Sequence, residues 1–171
     1  MKLAESDFIV LGFLMLHPMT GYELKAKMDA TIRHFYRPSY GGIYPSLKKL
    51  ARGEYVAAGQ SVVGGKIRKT YRPLTAGKRA FRSWLKIPPD IARGPGPVLL
   101  KVFFLGLGER DDAQSLARDV IRNAQERKEW LKGMASEIRG VADAYQAATC
   151  RFGIDYYEFL AEWFTRWEKE K

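Results

Sequence analysis

Tyr40, Tyr44 and Lys48 recur every four residues in the segment SYGGIYPSLKKLAR, residues 39–52, so a helix there carries them on one face. Lys49 and Arg52 flank them. Phenol and ammonium groups at this spacing do not suit bond-breaking chemistry. They suit a polyanion: the cations pair with phosphates, and the tyrosines contact sugar, phosphate or base edges. Ser39 and the amides of Gly41 and Gly42 stand at the helix start, where unpaired N–H groups point outward and attract a phosphate. Pro45 has no N–H, so its neighbours must provide those donors. A second group, Lys66, Arg68, Lys69 and Arg72 with Thr70 and Tyr71, gathers beside Gly64-Gly65. Cations at a loop tip are placed to hold a phosphate backbone.

Bond-making chemistry has little to draw on. His17 and His34 fall at helix ends, and no metalloprotease, nucleophile-elbow or phosphate-loop pattern occurs. Asp111 and Asp112 precede a helical run and read as caps, and Cys150 reads as a packed residue of the last helix. One cysteine builds neither a disulfide framework nor a cysteine-rich zinc site. We therefore expect no enzyme, no metal and no cofactor.

Charge placement supports the polyanion reading. The chain has 171 residues, 46% hydrophobic and 28% charged, with a formal net charge of +10. Residues 1–86 hold 16 Lys and Arg against 5 Asp and Glu, whereas residues 87–171 hold 13 against 14. Solubility does not require one strongly basic half; binding nucleic acid does. The start, MKLAESDF, turns acidic where a leader would turn apolar. The apolar stretches Phe8–Leu16 and Val98–Leu107 fall short of the roughly 20 residues of a membrane span. A cytoplasmic protein without membrane attachment is expected.

The elements that would position the basic residues follow from periodicity. Phe8–Leu16 is apolar nearly all round and reads as a buried helix, with Ser6 or Asp7 as its cap. Thr20 and Glu23 form a capping box, and Leu24, Met28, Ile32 and Phe35 make the inner stripe of a second helix. Ile43, Leu47 and Leu50 anchor the third, which Gly53 ends. Residues 55–73 change to a strand period with a turn near Gly64–Lys66. Thr75 is expected to cap a fourth helix that faces Phe81, Trp84 and Leu85 inward. This order describes a winged helix-turn-helix over residues 1–86, whose third helix enters the major groove and whose hairpin is the wing.

The Pro- and Gly-rich run IPPDIARGPGP at 87–97 reads as a linker. Beyond it, residues 98–171 read as a helical dimerisation domain. Leu116, Val120, Ala124, Leu131, Met134 and Ile138 approach a heptad seam that Arg127 interrupts. Phe152, Tyr156, Phe159, Trp163 and Trp167 line the last helix. Such helices gain a full core by pairing with a second copy. The fold class expected is mainly α with a small β-hairpin.

Three stretches carry a resemblance to a known family. LGFLMLHPMTGYELKAKM at 11–28, PSYGGIYPSLKKLARGEYV at 38–56 and RKTYRPLTAGKRAFRSWL at 68–85 are similar, in this order, to the PadR family of bacterial and archaeal transcriptional regulators. LLKVFFLGL at 99–107 and the aromatic last helix resemble the longer members. The resemblance implies a homodimeric repressor of an operator on double-stranded DNA. Its C-terminal helices would join the subunits, with the N-terminal helix, here Phe8 and Leu11, contributing. It also implies release by a small aromatic ligand, for which Phe8, Trp130, Phe152, Tyr156 and Trp163 are the candidate pocket residues. The alternative is a dimeric protein-binding adaptor of the same fold that does not use DNA. Three departures stand out: Gly42 stands where the family often has Gln or Ser, ARGEYV at 51–56 replaces the usual E-x-E-G-L-(V/I) at the junction with the hairpin, and Arg72-Pro73 before Leu74 adds a rigid residue near the wing's end.

Overall fold

The structure is a computed structural model that describes residues 2–36, 42–63 and 66–170, with backbone alone at 61–63, 66 and 67. The chain divides into two compact units. The first comprises residues 1–87 and 95–109, and the second residues 88–94 and 110–171.

In the first unit, α1 (Glu5–Leu16) is the central element. Its Ile9, Val10, Leu11, Phe13 and Leu14 are all buried, as an all-round apolar helix requires. Helices α2 (Gly21–Thr31), α3 (Ile43–Arg52) and α4 (Thr75–Leu85) pack around it. The expected inner faces are in place: Leu24, Met28 and Ile32 on α2, Ile43, Leu47 and Leu50 on α3, Phe81, Trp84 and Leu85 on α4. Thr20 and Glu23 close the capping box of α2, with Glu23 N–H donating to Thr20 Oγ1 at 3.2 Å and Thr20 N–H to the Glu23 carboxylate at 2.8 Å. Thr75 is the first residue of α4 rather than its cap; Leu74 holds the cap position and offers no side-chain acceptor.

The hairpin joins β2 (Val56–Val63) to β3 (Lys66–Pro73), antiparallel, with Val63 opposite Lys66 and Val56 opposite Pro73. A two-residue strand, β1 (Met19–Thr20), pairs with the other edge of β3 and completes a sheet of order β1-β3-β2. The tight turn from α3 into β2 places Glu54 at φ 57°, a left-handed conformation that glycine adopts without strain. The family's glycine at that position thus meets a backbone requirement that Glu54 meets at a cost.

The run at 87–97 is not a simple linker between domains. Helix α5 begins at Pro95 and ends at Phe104, three residues earlier than its apolar run suggests, and it belongs to the first unit. Phe104 meets Phe13, Phe81 and Trp84 edge-on, with ring centroids 5.4–6.5 Å apart. A Cβ on Gly12 of α1 would lie 2.7 Å from the rings of both Phe81 and Phe104, so the glycine is what lets these layers approach. The sequence VLLKVFF is apolar apart from Lys101, which is why most of α5 packs inward, with Val98, Leu100 and Phe104 buried and Phe103 partly exposed. The long continuous stretch of the second unit accordingly starts at residue 110, and residues 88–94 are its separate piece.

In that unit, α6 (Asp112–Glu137) and α7 (Ala144–Lys169) form a hairpin of long helices. Leu116, Ala117, Val120, Ala124 and Leu131 of α6, and Cys150, Leu160, Ala161 and Phe164 of α7, are buried within it. Leu131 packs onto Gly153. Asp143 caps α7 by accepting from the N–H groups of Tyr145 and Gln146, both at 2.8 Å. A 3-10 turn at Ile91–Arg93 rests against α6, with Ile91 buried.

Candidate nucleic-acid interface

Helix α3 has two unlike sides. Ile43, Ser46, Leu47 and Leu50 are buried, while Tyr44, Lys48 and Arg52, four residues apart, are exposed. Tyr44 is 61% exposed, and its ring also covers the start of α2: a Cβ on Gly21 would meet the ring at 2.7 Å. The stripe is therefore an outward surface of phenol, ammonium and guanidinium held rigid by the apolar side behind it. Tyr22, 76% exposed and next to Gly21, adds a second phenol that spacing within α3 does not reveal. Ser39, Tyr40 and Gly41, expected at the start of this surface, lie outside the described residues. Gly42 is the N-cap and contributes no side-chain cap.

Lys49 does not share that surface. Its Nζ donates to the Asp7 carboxylate of α1 at 2.5 Å, and the Asp7 side chain is only 3% exposed. Lys49 was expected among the outward cations. It instead ties α3 to α1, because a buried carboxylate stays ionised only with a cation and hydrogen bonds beside it. Burial pushes the Asp7 carboxyl up, but bonds from Lys49, the Ala4 amide and Ser46 outweigh it and hold the carboxyl below its ordinary value.

The wing residues separate by strand alternation. Arg68, Thr70 and Arg72 share one side of β3, and their cross-strand partners Ser61, Gly59 and Ala57 are all small. The exposed Arg68 and Arg72 therefore stand above their surroundings. Lys69 and Tyr71 occupy the other side. Tyr71 is 9% exposed and packs with the first unit's core, so it is a core residue rather than part of a DNA-facing wing. Lys69 is exposed, its ammonium 5.5 Å from the Tyr71 ring. Lys66 is paired with Val63 at the end of the hairpin; its side chain lies outside the described residues.

The expected dimerisation and effector residues are dispersed. Leu11 is fully buried in the first unit. Phe8 stacks on Trp84 of that unit, with centroids 5.5 Å apart and planes at 7°. Leu116, Val120 and Leu131 are covered by α7 of the same chain, so they do not offer a face to a partner. Met134, Ile138, Tyr156, Trp163 and Trp167 are half-buried, whereas Phe152 and Phe159 are exposed and stand seven residues apart in line with exposed Tyr145. Trp130 borders an open groove of about 410 Å³ with Pro89, Asp90, Ile91, Asn123, Glu126 and Arg127, which does not include Phe152, Tyr156 or Trp163.

His17 and His34 are exposed and Cys150 is buried. Among the described residues no cluster of His, Cys, Asp and Glu could hold a metal ion. No described helix is long and apolar enough to cross a membrane.

Comparison with known proteins places this geometry. Residues 10–83 match the model of the transcriptional regulator PadR-like family, and residues 97–170 match that of the virulence activator alpha C-terminal region. The chain is 24% identical over 151 residues to the negative transcriptional regulator PadR of Bacillus subtilis, covering 85% of this chain and 81% of that protein. It is 36% identical over 61 residues to the transcriptional regulator Rv3488 of Mycobacterium tuberculosis, covering 36% of this chain and 57% of that one. Its fold is similar to that in the crystal structure of Bacillus subtilis PadR in complex with operator DNA, with a TM-score of 0.51 and 19% identity over 97% of each chain.

Proposed function

Since this chain belongs to the PadR-like family of transcriptional regulators, we propose that it binds operator DNA as a homodimer and represses transcription by occluding a promoter. The observation that carries this reading is the exposed stripe Tyr44–Lys48–Arg52 on a helix anchored from behind by Ile43, Leu47 and Leu50. Two copies of α3 occupy successive major-groove faces of a pseudo-palindromic site. Arg68 and Arg72, with Lys66 and Lys69, hold the flanking backbone. The α7 stripe Tyr145, Phe152 and Phe159 supports pairing of two chains, because exposed aromatics in one line are what an interface covers. A small aromatic effector is part of this reading. The groove beside Trp130 has a volume within the roughly 300–1,000 Å³ usual for such ligands, and its lining carries Asp90 and Glu126 as well as Arg127.

Arg68→Ala and Tyr44→Ala separate the two roles by fluorescence polarisation over a salt series. Arg68→Ala weakens binding to operator and shuffled duplex alike and lowers the salt slope by about two, one contact being lost from each subunit. Tyr44→Ala narrows the gap between the two duplexes. A salt slope equal to wild type for Arg68→Ala contradicts the assignment of the wing.

A further inference from the structure

The first unit carries a second strongly basic face, on α4. Helix α4 buries Gly77, Phe81, Trp84 and Leu85 and turns Lys78, Arg79, Arg82 and Lys86 outward. These four line a shallow concavity of about 420 Å³ with Thr75, Ser83 and Glu109. Lys86 is paired with Glu109 at 2.7 Å. That hydrogen bond first, and the charges of Lys86 and Arg82 after it, hold the Glu109 carboxyl below its ordinary value. Lys78, Arg79 and Arg82 have no ion-pair partner among the described residues.

Three cations of the second unit have an acidic partner within their own helix. On α6, Arg122 pairs with Asp119 and Lys132 with Glu129; on α7, Arg166 lies near Glu162. Helix α4 contains no acidic residue at all. Lys78, Arg82 and Lys86 are spaced by four, an arrangement of like charges that destabilises a helix. Among the described residues Glu109 is the one carboxylate lining the concavity, and it offsets only part of that repulsion. A bound polyanion offsets the rest.

We propose that the outer face of α4 is a second DNA-backbone contact, binding phosphates beyond the half-site that α3 and the wing occupy. The inference rests on the operator-binding reading above. Charge complementarity selects the occupant. No aliphatic or aromatic side chain lines the concavity, so it lacks the apolar wedge by which a protein enters a lipid surface. From Lys78 to Lys86 the helix rises about 12 Å. Successive phosphates of one strand advance about 3.4 Å along a duplex axis, so the face spans three to four of them. Helix α4 also follows β3 through a single residue, Leu74, and packs against it. The arginines of the wing and the cations of α4 thus belong to one rigid piece of protein.

The test uses the full chain and the triple variant Lys78→Gln/Arg79→Gln/Arg82→Gln. All three positions are exposed, and Gln matches Lys and Arg in helix propensity, so the fold is retained. Two duplexes share the same operator; one ends at its edges, and the other extends it by about one helical turn, ~10 bp, on each side. Wild type is expected to bind the extended duplex about tenfold more tightly or better. The triple variant is expected to lose that advantage, to bind the short duplex as wild type does, and to lower the salt slope on the extended duplex by about five, three cations being lost from each of two subunits. Equal affinity of wild type for both duplexes overturns the proposal, as does an unchanged length advantage in the variant. Loss of binding to anionic vesicles in the variant, without a duplex-length effect, assigns the face to a membrane and overturns it too. Arg68→Ala run alongside keeps the two readings apart. If it leaves both duplexes unaffected, operator binding through the wing fails; if only the α4 variant behaves as wild type, the α4 contact alone fails.

Discussion

Replacing Asp7 by Asn removes one negative charge and almost no volume from the contact that seats α3 on α1. The Asp7 side chain is 3% exposed, and it accepts from Lys49 Nζ at 2.5 Å and from the Ala4 amide at 2.8 Å. Breaking a buried ion pair from one side costs about 3–5 kcal/mol when the orphaned charge stays buried. Lys49 is 28% exposed and can turn its ammonium to water, which brings the expected loss to about 2 kcal/mol. In a unit of about 100 residues that lowers the melting temperature by roughly 10 °C. The pH dependence fixes the cause. The folded carboxyl titrates below its unfolded value, so its contribution is present above about pH 4 and disappears as pH falls through the folded value. Urea unfolding of both proteins at pH 7, 5 and 3 should show a gap that closes with acid. The variant should also lose operator affinity more than affinity for random duplex, since base contacts depend on the angle of α3 and backbone attraction does not. Equal unfolding midpoints at pH 7, or a gap that persists unchanged at pH 3, refutes the reasoning.

Two further perturbations act on the same unit. Lys101 of α5 is buried, its ammonium 3.7 Å from the centroid of the Trp84 ring and bonded to the Trp84 carbonyl; burial lowers its pKa to about 8, with Glu5 pulling the other way. Because the unfolded lysine titrates near 10.5, the unfolded chain holds a proton that the folded one has shed, and stability should rise by about 3 kcal/mol between pH 8 and 10.5. Lys101→Met should abolish that rise without loss at pH 7, since the Ile87 N–H still donates to the Trp84 carbonyl; parallel curves for both proteins contradict this. Glu54→Gly relieves the left-handed turn between α3 and β2 and should stabilise the protein by about 0.5–1 kcal/mol in the same denaturant assay, an unchanged midpoint being the contrary result.

What the sequence made legible was whatever repeats locally. Leu24, Met28 and Ile32, or Ile43, Leu47 and Leu50, reveal a buried side because helical spacing alone decides it. Thr20 with Glu23 reveals a helix start for the same reason. Residues whose roles depend on distant partners were misplaced. Lys49 looks like Lys48 until Asp7, 42 residues earlier, is seen beneath it. Tyr71 looks like a wing aromatic, yet strand alternation puts it opposite Arg72 and against the core, and that signal was present in the spacing. The prolines and glycines at 87–97 suggest a boundary, but the mostly apolar run after them needs burial, and Val98, Leu100 and Phe104 are buried in the first unit. Leu116, Val120 and Leu131 form a genuine seam whose partner is α7 of the same chain, a choice that heptad spacing does not make.

The most direct test of operator recognition is a fluorescence-polarisation titration of the purified full chain against DNA from upstream of its own coding sequence and against a shuffled duplex of equal length and composition, over a salt series. The account predicts much tighter binding to the upstream duplex, with affinity falling steeply as salt rises on both. Equal, weak binding to the two duplexes at every salt concentration would contradict it.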